Sequence, residues 1–256
     1  MELWTPEHTK SLLPAFAAMV VLTLLLRRWL LKKPHAVRMI PVQIIACILV
    51  VLEIGKQGVS LWRGYDLYCL PFHYCSLFVF ALPIFAFYRG KYQGQVHGVV
   101  SSLCCALTLM MIVYPNLIYP AGSVTGYFKN YMNFHTVTFH NLVVLAFCLI
   151  LGLELNQSTA KKEALWVVLS VLGFCAVAAT MAQLLKTNYA NFYSCNVPVL
   201  ESVRSTMQRG IGYALSQLIY IALVAAVHVL GSYGAYWLYR LLRRVFQPAK
   251  QPMLKK

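Results

Sequence analysis

Seven apolar runs, each about as long as a bilayer-crossing helix, dominate this sequence. They cover approximately residues 12–31, 40–60, 67–88, 96–118, 134–155, 164–185 and 211–239. A spanning helix needs about 20 mainly apolar residues. Lipid offers no partner to a backbone polar group, so runs of this kind must be helical. The sequence therefore predicts an all-α polytopic membrane helix bundle of about seven transmembrane helices, forming a single integral membrane domain over residues 1–256.

Composition and charge support this class and give the topology. The chain is 60% hydrophobic and 11% charged, whereas soluble domains carry about 25% charged residues. A net charge of +15 would suggest nucleic acid as a partner of a soluble protein. Here fifteen of the 22 Lys and Arg residues follow the first, third, fifth and seventh runs. This asymmetry predicts a multi-pass protein of the cell membrane with its N-terminus outside, its C-terminus cytoplasmic and no nucleic-acid partner.

Polar groups within the runs are the candidates for function, because an ionisable side chain in lipid is costly. In the predicted topology His73 lies about 9 Å below the outer surface, counting 1.5 Å per residue. Six polar groups on four helices share that level: Glu53, Lys56, His73, His140, Asn188 and Tyr189. Their coincidence predicts an outward-facing polar pocket.

Structural interpretations compete with the functional one. Glu53 and Lys56 are spaced i,i+3 and could neutralise each other on one helix face. His73 could donate to a carbonyl in the preceding turn, since Pro71 removes a backbone donor there. In a regular helix Cys75 points about 200° away from His73, which favours a packing role for the thiol.

The remaining histidines are interpreted by depth. His135 and His140 point about 140° apart on a helix, and the shallower His135 fits an interfacial residue. His140 is the better functional candidate. His228 falls toward the inner half of the last run, and we expect it to be a packing or hydrogen-bonding residue away from the cluster.

Known sequence motifs give little support for a metal or cofactor site. HExxH, GxSxG and P-loop patterns are absent from the sequence, and we predict no cofactor and no metal. A three-ligand site of His73, His140 and Glu53 is conceivable but lacks local ligand spacing. Cys69 and Cys195 fall near one surface, and whether they pair is left open.

Four motifs in order carry a resemblance to a known family: LPFHYCSL, MMIVYPNL, FHTVTFHNLVV and TNYANFY. Over roughly residues 45–205 the chain resembles the YwaF-like integral membrane proteins. Those bacterial proteins are similar to the transmembrane protein 164 group of membrane-embedded acyltransferases, which remodel ether phospholipids. At residues 208–213 Gln-Arg-Gly-Ile-Gly-Tyr stands where the family has Gly-Pro-Trp-Pro-Trp-Tyr, so the pocket mouth and the substrate are left open.

The resemblance implies which residues form the site. His73 and Cys75 fall on the family's LPxHxC motif. His140 matches the histidine of the following FxxH-type helix, and Asn188 with Tyr189 matches the NY motif.

Two functions follow as hypotheses. The first is an acyltransferase or acyl hydrolase acting on membrane phospholipids or another acyl-lipid substrate. His140 or His73 would be the base, and Cys75, water or a lipid hydroxyl the nucleophile. Asn188 would donate to the oxyanion. The other substrate-binding candidates are Glu53, Lys56 and Tyr189.

The second hypothesis is a non-enzymatic proton-coupled small-solute carrier or membrane sensor. Its binding site would be the cluster of Glu53, Lys56, His73 and His140. A pocket open sideways to the outer leaflet favours lipid chemistry. A polar path toward the cytoplasm through Ser101, Thr108 and His228 favours transport.

Overall fold

The computed structural model describes residues 3–119, 122–156 and 162–246, and its regular secondary structure is entirely helical. Nine α-helices occur in these ranges: α1 Pro6–Leu30, α2 His35–Trp62, α3 Phe78–Phe87, α4 Gln93–Val113, α5 Pro115–Ile118, α6 Tyr131–Gly152, α7 Glu163–Leu185, α8 Pro198–Ile211 and α9 Tyr213–Phe246. Two 3₁₀ turns, Leu67–Cys69 and Cys75–Leu77, precede α3. Lys161, Lys250, Lys255 and Lys256, which contribute to the predicted charge asymmetry, lie outside the described residues.

Six of the helices are long and apolar enough to cross a membrane: α1, α2, α4, α6, α7 and α9. The predicted polytopic helical bundle is therefore confirmed. The exception is the third apolar run, whose helical part is the short stretch Cys75–Phe87. Thirteen residues rise only about 20 Å, less than the roughly 30 Å of a hydrocarbon core.

The chain still crosses back within this third run. Glu53 near the end of α2 and Met110 near the end of α4 line the same cavity, so these two helices run parallel. The segment between them must return across the bundle. Its first part, residues 63–74, is irregular. Non-helical backbone at membrane depth is tolerated only where protein buries it or where it lines a cavity. We therefore expect this segment to lie against a cavity or to be covered by other helices.

The core lies between α2, α3, α4, α6, α7 and α9. Fully buried apolar side chains from the central helices meet there, among them Leu49, Leu82, Cys104, Ala146 and Ala178. α1 packs against α6 at the edge. Large apolar side chains of α1 and α9 remain exposed on the outside of the bundle, as expected of lipid-facing surfaces.

Basic residues cap the C-terminal end of α6. Arg27, His35 and Arg38 each contact a backbone carbonyl oxygen of residues 152–155, and the bond from Arg38 Nη1 to Leu153 O measures 2.9 Å. The last carbonyls of a helix have no intrahelical donor and carry partial negative charge. These contacts therefore fix the start of α2 and the end of α1 against α6.

Candidate functional site

A cavity of about 680 Å³ lies at the end of the bundle where α2, α4 and α7 end, which we call the cavity end. This volume falls in the usual range of small-molecule sites, about 300–1,000 Å³. The irregular segment 63–74 and the 3₁₀ turn Cys75–Leu77 line one side of the cavity. α5, α6, α9 and residues 188–196 line other sides. That the cavity end faces outward remains a prediction.

The structure brings six of the seven predicted site residues to the cavity lining: Glu53, Lys56, His73, Cys75, His140 and Asn188. Tyr189 is the exception, because its side chain is fully buried behind the wall. Its hydroxyl donates to Leu67 O, and its ring packs edge-on against His73 with centroids 5.4 Å apart. The shared cavity establishes proximity, while the catalytic and substrate-binding roles stay predictions.

His73 is fixed by the irregular segment itself. Its Nε2 lies 3.0 Å from Tyr68 O, and the two rings pack with centroids 4.3 Å apart. A carbonyl can only accept, so Nε2 carries the hydrogen, and Nδ1 of the neutral ring keeps its lone pair. The predicted bond to a preceding carbonyl is thus present. It leaves one nitrogen able to act as a base.

His140 shows the same division of roles. Its Nδ1 donates to Thr136 O, one helical turn back, at 2.6 Å. Tyr119 packs edge-on against the ring with centroids 5.8 Å apart. Nε2 is therefore the nitrogen of this cavity-lining ring that is left to accept a proton.

The expectation that Cys75 faces away from His73 is wrong. It assumed regular helix from residue 67, whereas the 3₁₀ turn begins only at Cys75 and α3 at Phe78. Before that, the Phe72 amide donates to Leu70 O in a tight turn. The 100° rotation per residue does not apply across such a segment, and the thiol and the imidazole both line the cavity.

Glu53 and Lys56 form the ion pair that their spacing allowed. Lys56 Nζ lies 2.8 Å from Glu53 Oε1, and Gln57 Nε2 donates to the same oxygen at 2.7 Å. Gln57 Nε2 also contacts Cys69 O at 2.8 Å. The network therefore connects α2 to the irregular segment as well as presenting charge to the cavity.

His135 is a site residue that the sequence analysis placed at the interface, and that placement is wrong. Its side chain is 8% exposed, and Nε2 lies 3.4 Å from Glu53 Oε2. Its ring stacks on Phe139 with centroids 5.3 Å apart. The four-residue spacing of His135 and Phe139 could have predicted this position. Residues four apart lie on the same side of a helix, and Phe139 belongs to the buried face of α6.

His228 also lines the cavity, contrary to the expectation that it lies away from the cluster. Its Nε2 contacts Ala190 O at 3.2 Å, and its ring stacks on Tyr74 at 5.7 Å. The depth estimate failed because α9, with 34 residues, rises about 51 Å and extends beyond a bilayer. The loop after α7 also folds into the bundle, where Phe192 is fully buried.

Part of the cavity lining is apolar. Six side chains from α4, α5, the start of α6 and its first turns form it: Leu107, Met110, Leu117, Ile118, Met132 and Phe139. The wall formed by α2, the irregular segment and the loop after α7 carries thiol, imidazole, ammonium and amide groups. The cavity is therefore amphipathic.

A comparison with known families agrees with this architecture. The model of the TMEM164 family matches residues 3–232. The chain belongs to the TMEM164 family. No curated protein and no solved structure matches the chain.

Within this family member, Asn188 has a structural task. Its Oδ1 accepts from the amides of Tyr193 and Ser194 at 3.3 and 3.2 Å, and its Nδ2 lies 3.1 Å from Asn196 Oδ1. Ala190 has a left-handed backbone with φ 48°, an uncommon conformation for a residue with a Cβ. The second hydrogen of the Asn188 amide is the one that could face a substrate.

Metal and disulfide hypotheses receive no support from the geometry. Among the residues described, no three His, Cys, Asp or Glu side chains are arranged to hold a metal ion, so the site drawn from His73, His140 and Glu53 is not formed. Cys69 and Cys195 are both free thiols.

Proposed function

We propose that this protein is a membrane-embedded acyltransferase or acyl hydrolase acting on phospholipids. One observation carries the proposal: a single amphipathic cavity holds the thiol of Cys75 together with His73 and His140. A nucleophile and a base in one site are the minimum that acyl transfer through a covalent intermediate needs. Membership of the TMEM164 family and the narrower resemblance to YwaF-like proteins support the same chemistry.

The mixed lining suits the two parts of a lipid ester. Acyl chains would lie against the apolar side chains of Met110, Ile118 and Phe139. The headgroup and glycerol would lie toward Lys56 and Asn188, which offer donors to phosphate and carbonyl oxygens. The proposal places the protein in the cell membrane with the cavity open to the outer leaflet.

The covalent route starts at Cys75. A histidine takes the thiol proton, and the thiolate forms a C–S bond to the ester carbonyl while the carbonyl electron pair moves to oxygen. Asn188 Nδ2–H and Lys56 would donate to that oxyanion. When the C=O bond re-forms, the ester C–O bond breaks, and the leaving alkoxide takes the proton from the imidazolium.

The second half of the reaction reverses the roles. The hydroxyl of a lysophospholipid or of water gives its proton to the histidine and attacks the thioester carbonyl. Cys75 leaves as thiolate and recovers the proton. The direct route, in which a histidine activates the acceptor hydroxyl without a thioester, uses the same base. Since Cys75 and His73 share the cavity, the geometric objection to the covalent route no longer applies.

His140 is the preferred base because its Nδ1 bond to Thr136 O fixes the ring and leaves Nε2 available. Purified protein in lipid nanodiscs, given labelled phosphatidylcholine and lysophospholipid, should transfer or release acyl chains. His140→Ala should reduce the rate at least about 100-fold, the usual scale of a lost general base. Absence of turnover, or an unchanged rate in the variant, would refute the proposal.

A matched pair of cysteine variants separates the two routes. Cys75→Ala should abolish turnover if the thioester forms, and intact-protein mass spectrometry of the wild type should then show an added acyl group. Cys104→Ala is the control, since Cys104 is a buried core residue of α4 outside the cavity lining. Full activity of Cys75→Ala would instead support direct transfer.

Of the three residues on the path expected for a carrier or sensor, His228 lines the cavity. Ser101 and Thr108 donate to carbonyls of their own helix at 2.6 and 2.8 Å, and neither lines the cavity. Proton-dependent uptake that requires Glu53 but not Cys75 would favour the carrier over the enzyme.

A further inference from the structure

α8 turns its polar side toward the protein. Arg204 Nη1 donates to Gln217 Oε1 on α9 at 3.1 Å, and its guanidinium lies 5.6 Å from the centre of the Tyr220 ring. Its other nitrogens donate to Glu201 on the same helix. Glu201 Oε2 in turn accepts from the Cys195 amide at 2.8 Å. Polar contacts thus hold α8 to α9 and to the loop that lines the cavity.

An apolar stripe of the same helix is left outside. Leu200, Val203 and Ile211 are 56%, 55% and 47% exposed. With the half-buried Met207 between them they fall within an arc of about 80°, at 100° per residue. In a water-soluble surface helix such a stripe would be the buried one.

A third side of α8 is polar and exposed. Ser202, Thr206 and Arg209 are open to the surroundings, and Arg209 Nη2 donates to the Thr206 hydroxyl on the same helix at 3.3 Å. With 14 residues, the helix is too short to span a bilayer. A short helix with one apolar and one polar exposed side is typical of a membrane interface.

The apolar stripe continues into a lipid-facing surface. Gly212, with φ 81°, separates α8 from α9. Immediately beyond it Tyr213, Leu215 and Leu218 are exposed on the spanning helix. Ile211 therefore adjoins the part of α9 that must contact lipid, which identifies lipid as the occupant of the stripe.

We propose that α8 lies flat in the bilayer interface at the cavity end. Leu200, Val203, Met207 and Ile211 insert among the acyl chains, and Arg209 lies among the headgroup phosphates. The bond from Glu201 to the Cys195 amide then holds the adjacent cavity wall at the level of the lipid surface. This docking surface does not depend on the enzymatic proposal.

Tryptophan placed on each exposed side tests the docking. Val203→Trp and Thr206→Trp variants are reconstituted in phosphatidylcholine vesicles with brominated or ordinary acyl chains, and the wild-type spectrum is subtracted. Bromolipid should quench the added emission of Val203→Trp several-fold more than that of Thr206→Trp. Aqueous acrylamide should show the opposite order.

Two outcomes would overturn the proposal. Equal acrylamide quenching of both variants would show that the stripe is in water. A blue-shifted Val203→Trp emission that bromolipid does not quench would show that protein, such as a second copy of the chain, covers the stripe.

Hydrogen exchange gives a check that needs no added fluorophore. In the same vesicles Leu200→Ser with Val203→Ser should raise amide exchange across residues 198–211 several-fold, and Thr206→Ser should not. Unchanged exchange in the double variant would mean that lipid contact does not hold α8, contrary to the proposal.

Discussion

The two ends of the bundle both place ionisable side chains next to backbone carbonyls, but they use them differently. At the end opposite the cavity, Arg27, His35 and Arg38 contact carbonyls of residues 152–155, at and just after the end of α6. At the cavity end, His73 and His140 each give one ring nitrogen to a carbonyl and keep the other. The first arrangement completes a helix, and the second leaves reactive nitrogens beside a cavity.

The difference shows that depth in the membrane does not by itself identify a functional residue. An ionisable group near lipid is a reasonable starting hypothesis, yet both ends satisfy it. What separates them is the number of donors and acceptors that remain after the structural bonds are counted. α6 carries both cases, with His140 in its first half and capped carbonyls at its end.

The largest expected effect comes from removing one carboxylate at each end. Glu53→Gln leaves Lys56 without its counter-ion beside the cavity, and we expect acyl transfer per folded molecule to fall about 10- to 100-fold, or roughly 1.4–2.7 kcal/mol of barrier. Glu154→Gln should change it by less than about two-fold, because its half-exposed ion pair with Arg27 is of a kind worth ~0–1 kcal/mol. Equal losses in both variants would contradict the distinction between the ends.

The second effect concerns stability at the capped end. Arg38→Met removes the donor to Leu153 O, and we expect the free energy of unfolding in detergent to fall by about 1–3 kcal/mol, the cost of an unsatisfied buried acceptor. Arg28→Met is the control, since Arg28 is exposed on the same side of the bundle. Activity per folded molecule should be unchanged in both. A selective loss of turnover in Arg38→Met would mean that this end takes part in the reaction.

The third effect tests how α2 and α6 are held at the cavity end. A Cβ added at Gly55 would lie 2.1 Å from the Tyr131 hydroxyl, which donates to Leu52 O at 2.8 Å. Gly55→Ala should displace that ring and lower the unfolding free energy by about 1 kcal/mol, the worth of one hydrogen bond. Gly58→Ala, with open space around the new Cβ, should instead be stabilised by about 0.5–1 kcal/mol. Thermal unfolding of the two variants measures both changes in unfolding free energy. Changes of the same sign would refute the described contact between Gly55 and Tyr131.

The smallest effect is a pH dependence confined to the cavity end. Hydrogen bonds from Arg204 hold the pKa of Glu201 below its usual range. A pKa lower in the folded than in the unfolded state gives stability that is present above about pH 4.3. That stability is lost as pH falls through the folded value. Amide exchange in α8, corrected for intrinsic pH dependence, should therefore rise in acid.

Glu201→Gln supplies the control for this prediction and should flatten the pH dependence. At the opposite end Arg38 and its acceptor, Leu153 O, do not titrate in acid, so amide exchange next to Leu153 is the reference and should change less than exchange in α8. Parallel acid sensitivity at both ends would contradict the assignment to Glu201.

Most of the architecture followed from local chemistry. Apolar runs of sufficient length had to become helices. The motif order indicated a relationship to the transmembrane protein 164 group, which the match over residues 3–232 shows, while the narrower resemblance to YwaF-like proteins stays a prediction. Glu53 and Lys56 are one helical turn apart, so their ion pair could be predicted from spacing alone. A bond from His73 to a preceding carbonyl was one of the interpretations that the sequence left open, although the acceptor is Tyr68 O and not the Leu67 carbonyl that Pro71 would leave without a donor in a helix.

The errors arose wherever distant segments had to meet. Cys75 was predicted to point away from His73 because a rotation of about 100° per residue was assumed. That rotation does not apply to the irregular segment. His135 was assigned to the interface because nothing near it in sequence shows that Glu53 lies 3.4 Å away. His228 was placed away from the cluster because nothing near it in sequence shows that the loop after α7 brings Ala190 O to within 3.2 Å of its ring.

By itself, then, the sequence determined a membrane bundle of this family, the order of its crossings and most residues of one polar level. Only the tertiary structure decided that the third crossing begins as irregular backbone and that Cys75, His135 and His228 line the same cavity as His73 and His140. Helix formation depends on residues within a few positions of each other and on the lipid around them. Which side chains share a cavity depends on the packing of segments far apart in the chain, such as those that carry His73 and His228, and no local pattern records it.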